Sequence, residues 1–537
     1  MAAEIQAYFS KRDALIQEDR SLRRENKLLH SLTENESVAD KIVRRIRAEE
    51  EASIWSVEHD EFPHLFPGME FLTSKSIIDK TRIFKIVSKM PKGALLHAHL
   101  DATVDKTYLL ELALKEPLLH VRTPGVVTTT NLTATQPEFR AFKKGQSSQG
   151  ISVTDTEYQA NGWIPLHQAR EFFAYGGAEG FDKWVLGAVS INPAEAYGTH
   201  NTVTKIWQKF LSTFRATAGL FLYRPIFRQY IYRFLLESID DGISYMEPRI
   251  NFFHKYMFDA EGEQTVPHRE WLLDFEQAIR EARKTLKEQD REEEFIGAKI
   301  IYTTVRIISP EDIEWYLEDC IGLKKEFPDL IAGFDIVGDE NVARPLTDYI
   351  KPLLKFKQRV KDLGLELPLI LHAGETLSDG GKADNNLYDA LLLGTKRIGH
   401  GFSIVKHPKL MQLCRENGIA LEVCPISNEI LRLSSSMPMH PLPVVLNQGV
   451  PVTLNSDDPS VFGAMGLSYD FFQVLVSSET TGLITLGQMA RDSIEFSTLE
   501  KTEKRRALSL WEKRWYKFVD NLVSSGSGSV IAAANEE

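Results

Sequence analysis

Four short apolar runs in this chain each end on residues that are expensive to bury. They are LLHAHLD at 95–101, LILHAGET at 369–376, RIGHGF at 397–402 and PVTLNSDDPS at 451–460. Together they offer His97, His99, His372, Glu375, His400, Asp457 and Asp458 from the ends of four separate β-forming segments. Hard-to-bury polar groups at the ends of otherwise buried strands mark an active site, and these residue types are those of a metal hydrolase.

The four runs belong to a series of eight. ALLHAHL, ISYMEPRI, GAKIIYTTV, IAGFDIVG, LPLILHAG, KRIGHGF, IALEVCP and VPVTLNSDD follow one another along the chain, all apolar and without alternation. Parallel strands covered on both faces look like this. Helical stretches such as RPIFRQYIYRFLLESIDD and PLTDYIKPLLKFKQRVKDLG lie between them. Eight β-then-α units predict an α/β fold of the TIM (β/α)8 barrel type, whose active site sits at the C-terminal ends of the strands. The polar residues of the first, fifth, sixth and eighth runs fall at those ends.

The chain has 537 residues, enough for one large domain with attachments. Its net charge of −12 disfavours a nucleic-acid partner. Cys320, Cys414 and Cys424 form no CxxC pair, which suits free thiols in a reducing compartment. The first residues contain no apolar core of a secretory signal, and no window approaches the ~20 apolar residues of a membrane span. The expectation is a cytoplasmic protein with no membrane partner.

Residues 1–88 read as a charged helical extension. After Thr33, the apolar positions Val38, Ile42 and Ile46 make one narrow stripe that must pack on the barrel or on a second subunit. Residues 89–520 form the catalytic domain. An insertion at about 115–200 follows the first barrel strand; it is rich in Thr, Ser and Gly and is expected to fold over the barrel mouth. Residues 521–537 read as a flexible tail.

On a strand, residues i and i+2 share a side, so His97 and His99 can reach one point. With His372 and Asp457 they make an N/O ligand set suited to Zn²⁺, although iron or cobalt suits the same ligands. The glycine of HAGE lets the chain turn and aim Glu375 into the pocket as a proton donor. His400, between glycines, reads either as a ring facing a metal-bound water or as a core histidine. Consecutive strand side chains diverge, so Asp457 is assigned to the metal and Asp458 to the substrate, with the opposite order open.

The set HAHLD, GFDIVGDE, HAGE, GHG, EVCPISN and SDDP closely resembles the adenosine deaminases of the amidohydrolase superfamily. YMEPR, AGFDIVGDE, LEVCPISNEIL, SDDPSVFGAMGLSYDF and WEKRWYKFV are similar to the adenosine deaminase-related growth factor branch, and the resemblance covers nearly the whole chain. It implies one zinc held by His97, His99, His372 and Asp457. It implies that His400 orients the attacking water and accepts its proton, that Glu375 protonates purine N1, and that Asp458 donates to the five-membered ring. It further implies that Gly338 contacts N3, that Asp101 lies near the ribose hydroxyls, that Trp207 stands at the rim of the site, with helix packing the alternative for Trp207, and that the N-terminal helices make a homodimer. The implied reaction converts adenosine or 2′-deoxyadenosine to the inosine product. A deaminase of AMP or of an N6-substituted adenosine is the alternative, with Lys143-Lys144 a candidate phosphate contact. A signalling or binding protein with an inactive site is the alternative of another class. Secreted relatives carry a signal peptide and a disulfide in the insertion; this chain shows neither, since its three cysteines all lie beyond residue 300.

Overall fold

The structure, a computed structural model, describes residues 1–59, 64–145 and 148–534, with side chains to residue 525. Eight parallel strand positions run in chain order. They are β1 (Gly93–Leu95), β2 (Ile243–Met246 and Arg249–Asn251), β3 (Gly297–Ala298 and Ile300–Val305), β4 (Ile331–Val337), β5 (Leu371–Ala373), β6 (Arg397–His400), β7 (Ala420–Val423) and β8 (Val452–Leu454). Parallel ladders join β1 to β2, β2 to β3, β3 to β4, and β5 through β8 in sequence. A single bridge, Phe334 to Leu369, joins β4 to β5. The sheet closes between β8 and β1 through Ala98 and Asp457: His99 N–H donates to Asp457 O at 3.0 Å, and Asp457 N–H donates to His97 O at 3.1 Å. All eight runs read from the sequence are therefore strands of one TIM barrel, and its closing seam is made by residues of the candidate site.

The strands are buried along almost their whole length, as a sheet wrapped by helices requires. Proline at the first turn starts several of those helices, including Arg224–Asp240 and Pro408–Asn417; its missing N–H is lost where none is used.

The N-terminal extension packs on its own barrel. Thr33 and Glu36 form a reciprocal capping box at the start of helix Glu34–Glu50. The apolar stripe is wider than the sequence reading, because Ala39 and Val43 join Ile42 and Ile46 in the core. It lies against helices Leu483–Glu495 and Lys501–Ala534. Polar pins reinforce the docking: Arg24 forks onto Asp492 at 2.6 and 2.8 Å, and Trp515 Nε1 donates to Glu36 at 2.8 Å. Helix Ala2–Asp19 differs, since it buries no residue and leaves Ile5, Tyr8, Phe9 and Leu15 exposed. The last helix, Lys501–Ala534, continues into the Ser/Gly stretch that the sequence marks as a tail. Among the described residues, no helix is long and apolar enough to cross a membrane.

The insertion is more regular than its composition suggests. Strands Leu119–Arg122, Glu138–Ala141 and Ile164–Pro165 form a small antiparallel sheet. Glu138–Ala141 alternates exposed and buried side chains and packs on helix Val203–Phe221. The far end of the insertion reaches the barrel rim, where Ile191 N–H donates to Val461 O at 3.0 Å.

Candidate active site

The C-terminal rim gathers the polar strand ends into one cluster. The ring of His97 lies 5.5 Å from His99, 4.5 Å from His372 and 4.7 Å from His400, centroid to centroid. Asp457 Oδ1 lies 3.3 Å from Nε2 of both His97 and His99. Ligating atoms of His97, His99 and His372 all fall within 4.8 Å of one another. His97 Nε2 and Asp457 Oδ1 are buried and have no hydrogen-bond partner. Buried polar atoms are almost always satisfied, so two orphans 3.3 Å apart fit a cation.

Local backbone makes this close approach feasible. Gly399 pairs with His372 across β5 and β6, and a Cβ there would stand 3.1 Å from both His372 Cα and His97 Cε1. Gly374 turns the chain off β5 at φ 80°, in the left-handed region that glycine enters freely. Glu375 N–H then donates to Glu340 at 3.0 Å, which fixes the loop that carries the Glu375 carboxyl.

Behind the histidines lies a buried charge network. His97 Nδ1 meets Glu422 at 2.8 Å, and His372 Nδ1 meets Asp335 at 2.6 Å. Arg249 bridges these two carboxylates at 2.8 Å each, and Arg397 joins Glu422 to Glu247 at 2.6 and 2.7 Å. All five charged residues are fully buried. Removing one partner from such a pair costs about 3–5 kcal/mol, so the network rigidly locates both rings. With each Nδ1 directed at a carboxylate, each Nε2 is presented as a ligand.

The acid groups divide by environment. Burial pushes the Glu375 carboxyl well above the usual carboxylate range, and Asp457, Glu340 and Asp339 add to the rise. Burial does the same to Asp458, helped by Asp457 and Asp101. Asp457 is buried too, but His400, His97 and His99 hold it well below its ordinary value. Burial lowers His372 to about 3, against the pull of Asp335, so the ring is neutral at pH 7. Neighbouring titratable groups with opposed shifts are the mark of divided acid and base roles.

The structure thus brings His97, His99, His372, His400, Glu375, Asp457 and Asp458 together. The expected divergence of Asp457 from Asp458 is smaller than a strand would give, because ligating atoms of His99, Asp457 and Asp458 fall within 4.8 Å of one another. Asp457 has φ 57°, so strand geometry has already ended there. Asp101 is partly buried in the turn after His99, with Lys106 Nζ donating to its backbone oxygen at 3.4 Å. Gly338 follows β4 at φ 121°, where a side chain would strain the backbone. Trp207 is buried in helix Val203–Phe221, edge-on to Phe210, and its Nε1 has no partner. Phe210 in turn stacks on Phe462, four residues beyond Asp458. Lys143 is exposed and pairs with Glu263.

Sequence reading assigned no role to Arg249, Asp335, Glu422, Asn428 or His440. Charged residues inside apolar runs that should be buried on both faces were the available signal for the first three.

Beside the rim, Glu429 accepts from Phe71 N–H at 3.2 Å and Tyr197 OH at 3.1 Å, tying the extension and the insertion to the barrel. Burial raises its carboxyl to about 8, against about 4.3 when unfolded. The protonated form is therefore favoured by folding. That stability is fully present below the unfolded value and is lost as pH rises through about 8. The melting temperature of the wild type should fall more steeply between pH 6 and 9 than that of Glu429→Gln, by a few degrees in a calorimetric series.

The adenosine deaminase family model matches residues 189–513, more than half of the chain. Adenosine deaminase 2 from Sus scrofa is 35% identical over 462 residues, covering 85% of this chain and 84% of its own. The chain belongs to the adenosine deaminase family. Another relative, adenosine deaminase 2-A from Danio rerio, is 32% identical over 517 residues and aligns with 95% of this chain and 93% of its own. Among solved structures, an adenine deaminase from Arthrobacter aurescens superposes with TM-score 0.53 at 20% identity, over 80% of this chain and 99% of that one. Arabidopsis ADAL complexed with GMP superposes with TM-score 0.53 at 16% identity, over 80% and 98%. At these identities the superpositions establish the fold alone. This adenosine deaminase family chain is accordingly a hydrolase built on a TIM barrel.

Proposed function

We propose that the protein hydrolyses adenosine and 2′-deoxyadenosine to the inosine products and ammonia. One observation carries the reading: His97, His99 and His372 bring ligating atoms within 4.8 Å of one another and Asp457 Oδ1 lies 3.3 Å from Nε2 of both His97 and His99, beside two buried carboxyls, Glu375 and Asp458, whose protonated forms burial favours. Family membership supports the purine substrate.

His97, His99, His372 and Asp457 are the residues proposed to hold one zinc ion per subunit; the orphaned His97 Nε2 and Asp457 Oδ1 support the fit. When bound, zinc activates water as a nucleophile at neutral pH. Glu375, protonated, donates to purine N1 and makes C6 more electrophilic. His400 orients the attacking water. Asp458, protonated, donates to a nitrogen of the five-membered ring. The Gly338 N–H is assigned to N3, Asp101 to the ribose hydroxyls and Trp207 to the rim of the site. Mixing the zinc-loaded protein with adenosine, deoxyadenosine, AMP and adenine, followed by ultraviolet absorbance, tests the reading. A chelator-sensitive shift with the nucleosides is expected. A shift with AMP alone would replace it with nucleotide deamination, and stoichiometric zinc with no turnover would replace it with a binding role.

We also propose a homodimer formed through helix Ala2–Asp19. An isolated helix of this length is marginal in water, yet it exposes Ile5, Tyr8, Phe9 and Leu15. Deleting residues 1–22 should halve the molar mass seen by light scattering from about twice 61.0 kDa. An unchanged mass would sink the idea. The three cysteines are buried and unpaired, which supports a reducing, cytoplasmic location.

A further inference from the structure

His400 reaches the site through a chain of hydrogen bonds whose direction is fixed at its far end. Leu442 N–H donates to His440 Nδ1 at 3.1 Å. A backbone amide is always a donor, so this Nδ1 accepts and carries no proton. The ring of His440 is buried, edge-on to Phe402, and a neutral ring without a proton on Nδ1 has it on Nε2. That N–H therefore donates to Asn428 Oδ1, 3.1 Å away. With its oxygen so engaged, the Asn428 amide turns Nδ2 toward His400 Nδ1 at 3.3 Å, and Nδ2 is purely a donor. His400 Nδ1 therefore accepts from this nearer donor, with Glu375 Oε1 farther off at 3.7 Å, and the proton of the neutral ring sits on Nε2. That edge faces Asp457, with Nε2 at 3.7 Å from Oδ2.

We propose that His440 and Asn428 are positioning residues that set His400 in its Nε2–H tautomer, making it a hydrogen-bond donor toward the attacking water. The proposal rests on the deaminase reading for what lies beyond Nε2, but the tautomer does not. It changes the expectation formed from sequence: a ring already protonated on the edge facing the site holds the water oxygen by donating to it and is not the resting acceptor of the water's proton. The backbone supports a fixed ring. His400 has φ 59°, between Gly399 and Gly401, so its direction is set by the turn as well as by the relay.

Nitrogen-15 NMR of histidine-labelled protein reads the tautomer directly, with His400 assigned by its loss in His400→Gln. The wild type should show His400 with Nε2 protonated and Nδ1 bare. In Asn428→Asp, both carboxylate oxygens accept, so His400 should reverse to Nδ1–H. Turnover should then fall about 10–100-fold, the size typical of outer-shell losses, with KM within about threefold. If Asn428→Asp does not fold, His440→Phe removes the donor that orients the amide and should produce a mixture of the two tautomers. Wild-type His400 protonated on Nδ1, or the same tautomer in wild type and Asn428→Asp, overturns the proposal. A wild type with the expected tautomer but no deaminase activity overturns the functional reading instead.

Discussion

Glu375→Gln is expected to bind zinc at wild-type stoichiometry and to lose about 10²–10⁴-fold in kcat, the range of a general acid. The substitution keeps the shape of the side chain and the backbone bond from Glu375 N–H to Glu340, so the loop off β5 should stay in place. What it removes is a carboxyl that burial, with Asp457 beside it, pushes well above the usual carboxylate range. The informative combination is metal content by mass spectrometry together with steady-state kinetics. Full zinc with little turnover places the defect in proton delivery. Loss of both would show that Glu375 shapes the metal site, and near-normal turnover would remove it from the mechanism.

His372→Ala should act one step earlier and abolish metal retention, taking activity below detection. His372 is held at three places: its Nδ1 and its N–H both meet Asp335, and its carbonyl accepts from Arg306. The variant also strips Asp335 of a partner while leaving Arg249 beside it, so the barrel interior keeps its main charge pairing. Circular dichroism should therefore report a folded chain without zinc. Stoichiometric zinc in this variant would contradict the proposed ligand set.

Much of this architecture was legible beforehand for a simple reason. Parallel strands buried on both faces are written as unbroken apolar runs, and the few polar residues tolerated there fall at the catalytic ends, as in HAHLD, HAGE, GHG and SDDP. What stayed hidden depends on closure. Arg249, Asp335 and Glu422 come from three strands far apart in sequence, and nothing in their spacing shows that they pair. The Leu442–His440–Asn428–His400 relay is likewise invisible until β6 and the segment after β7 stand side by side. The closeness of Asp457 to Asp458 is hidden too, because strand geometry has ended by Asp457, whose φ is 57°. The insertion was read through its Thr, Ser and Gly content, which conceals the alternation at Glu138–Ala141.

The barrel's seam has a thermodynamic consequence. His97 and Asp457 lie about 360 residues apart, yet only a few backbone bonds join β1 to β8. An ion shared by side chains from both edges would act as a cross-link closing about two-thirds of the chain. The entropy of closing a loop grows only logarithmically, each doubling of length costing about 0.6 kcal/mol more, but this is the longest closure the barrel makes. Chelation should then loosen the cylinder along one line, with amide exchange accelerating first at His97–His99 and Asp457, while the ladders of β5 to β8 keep their protection.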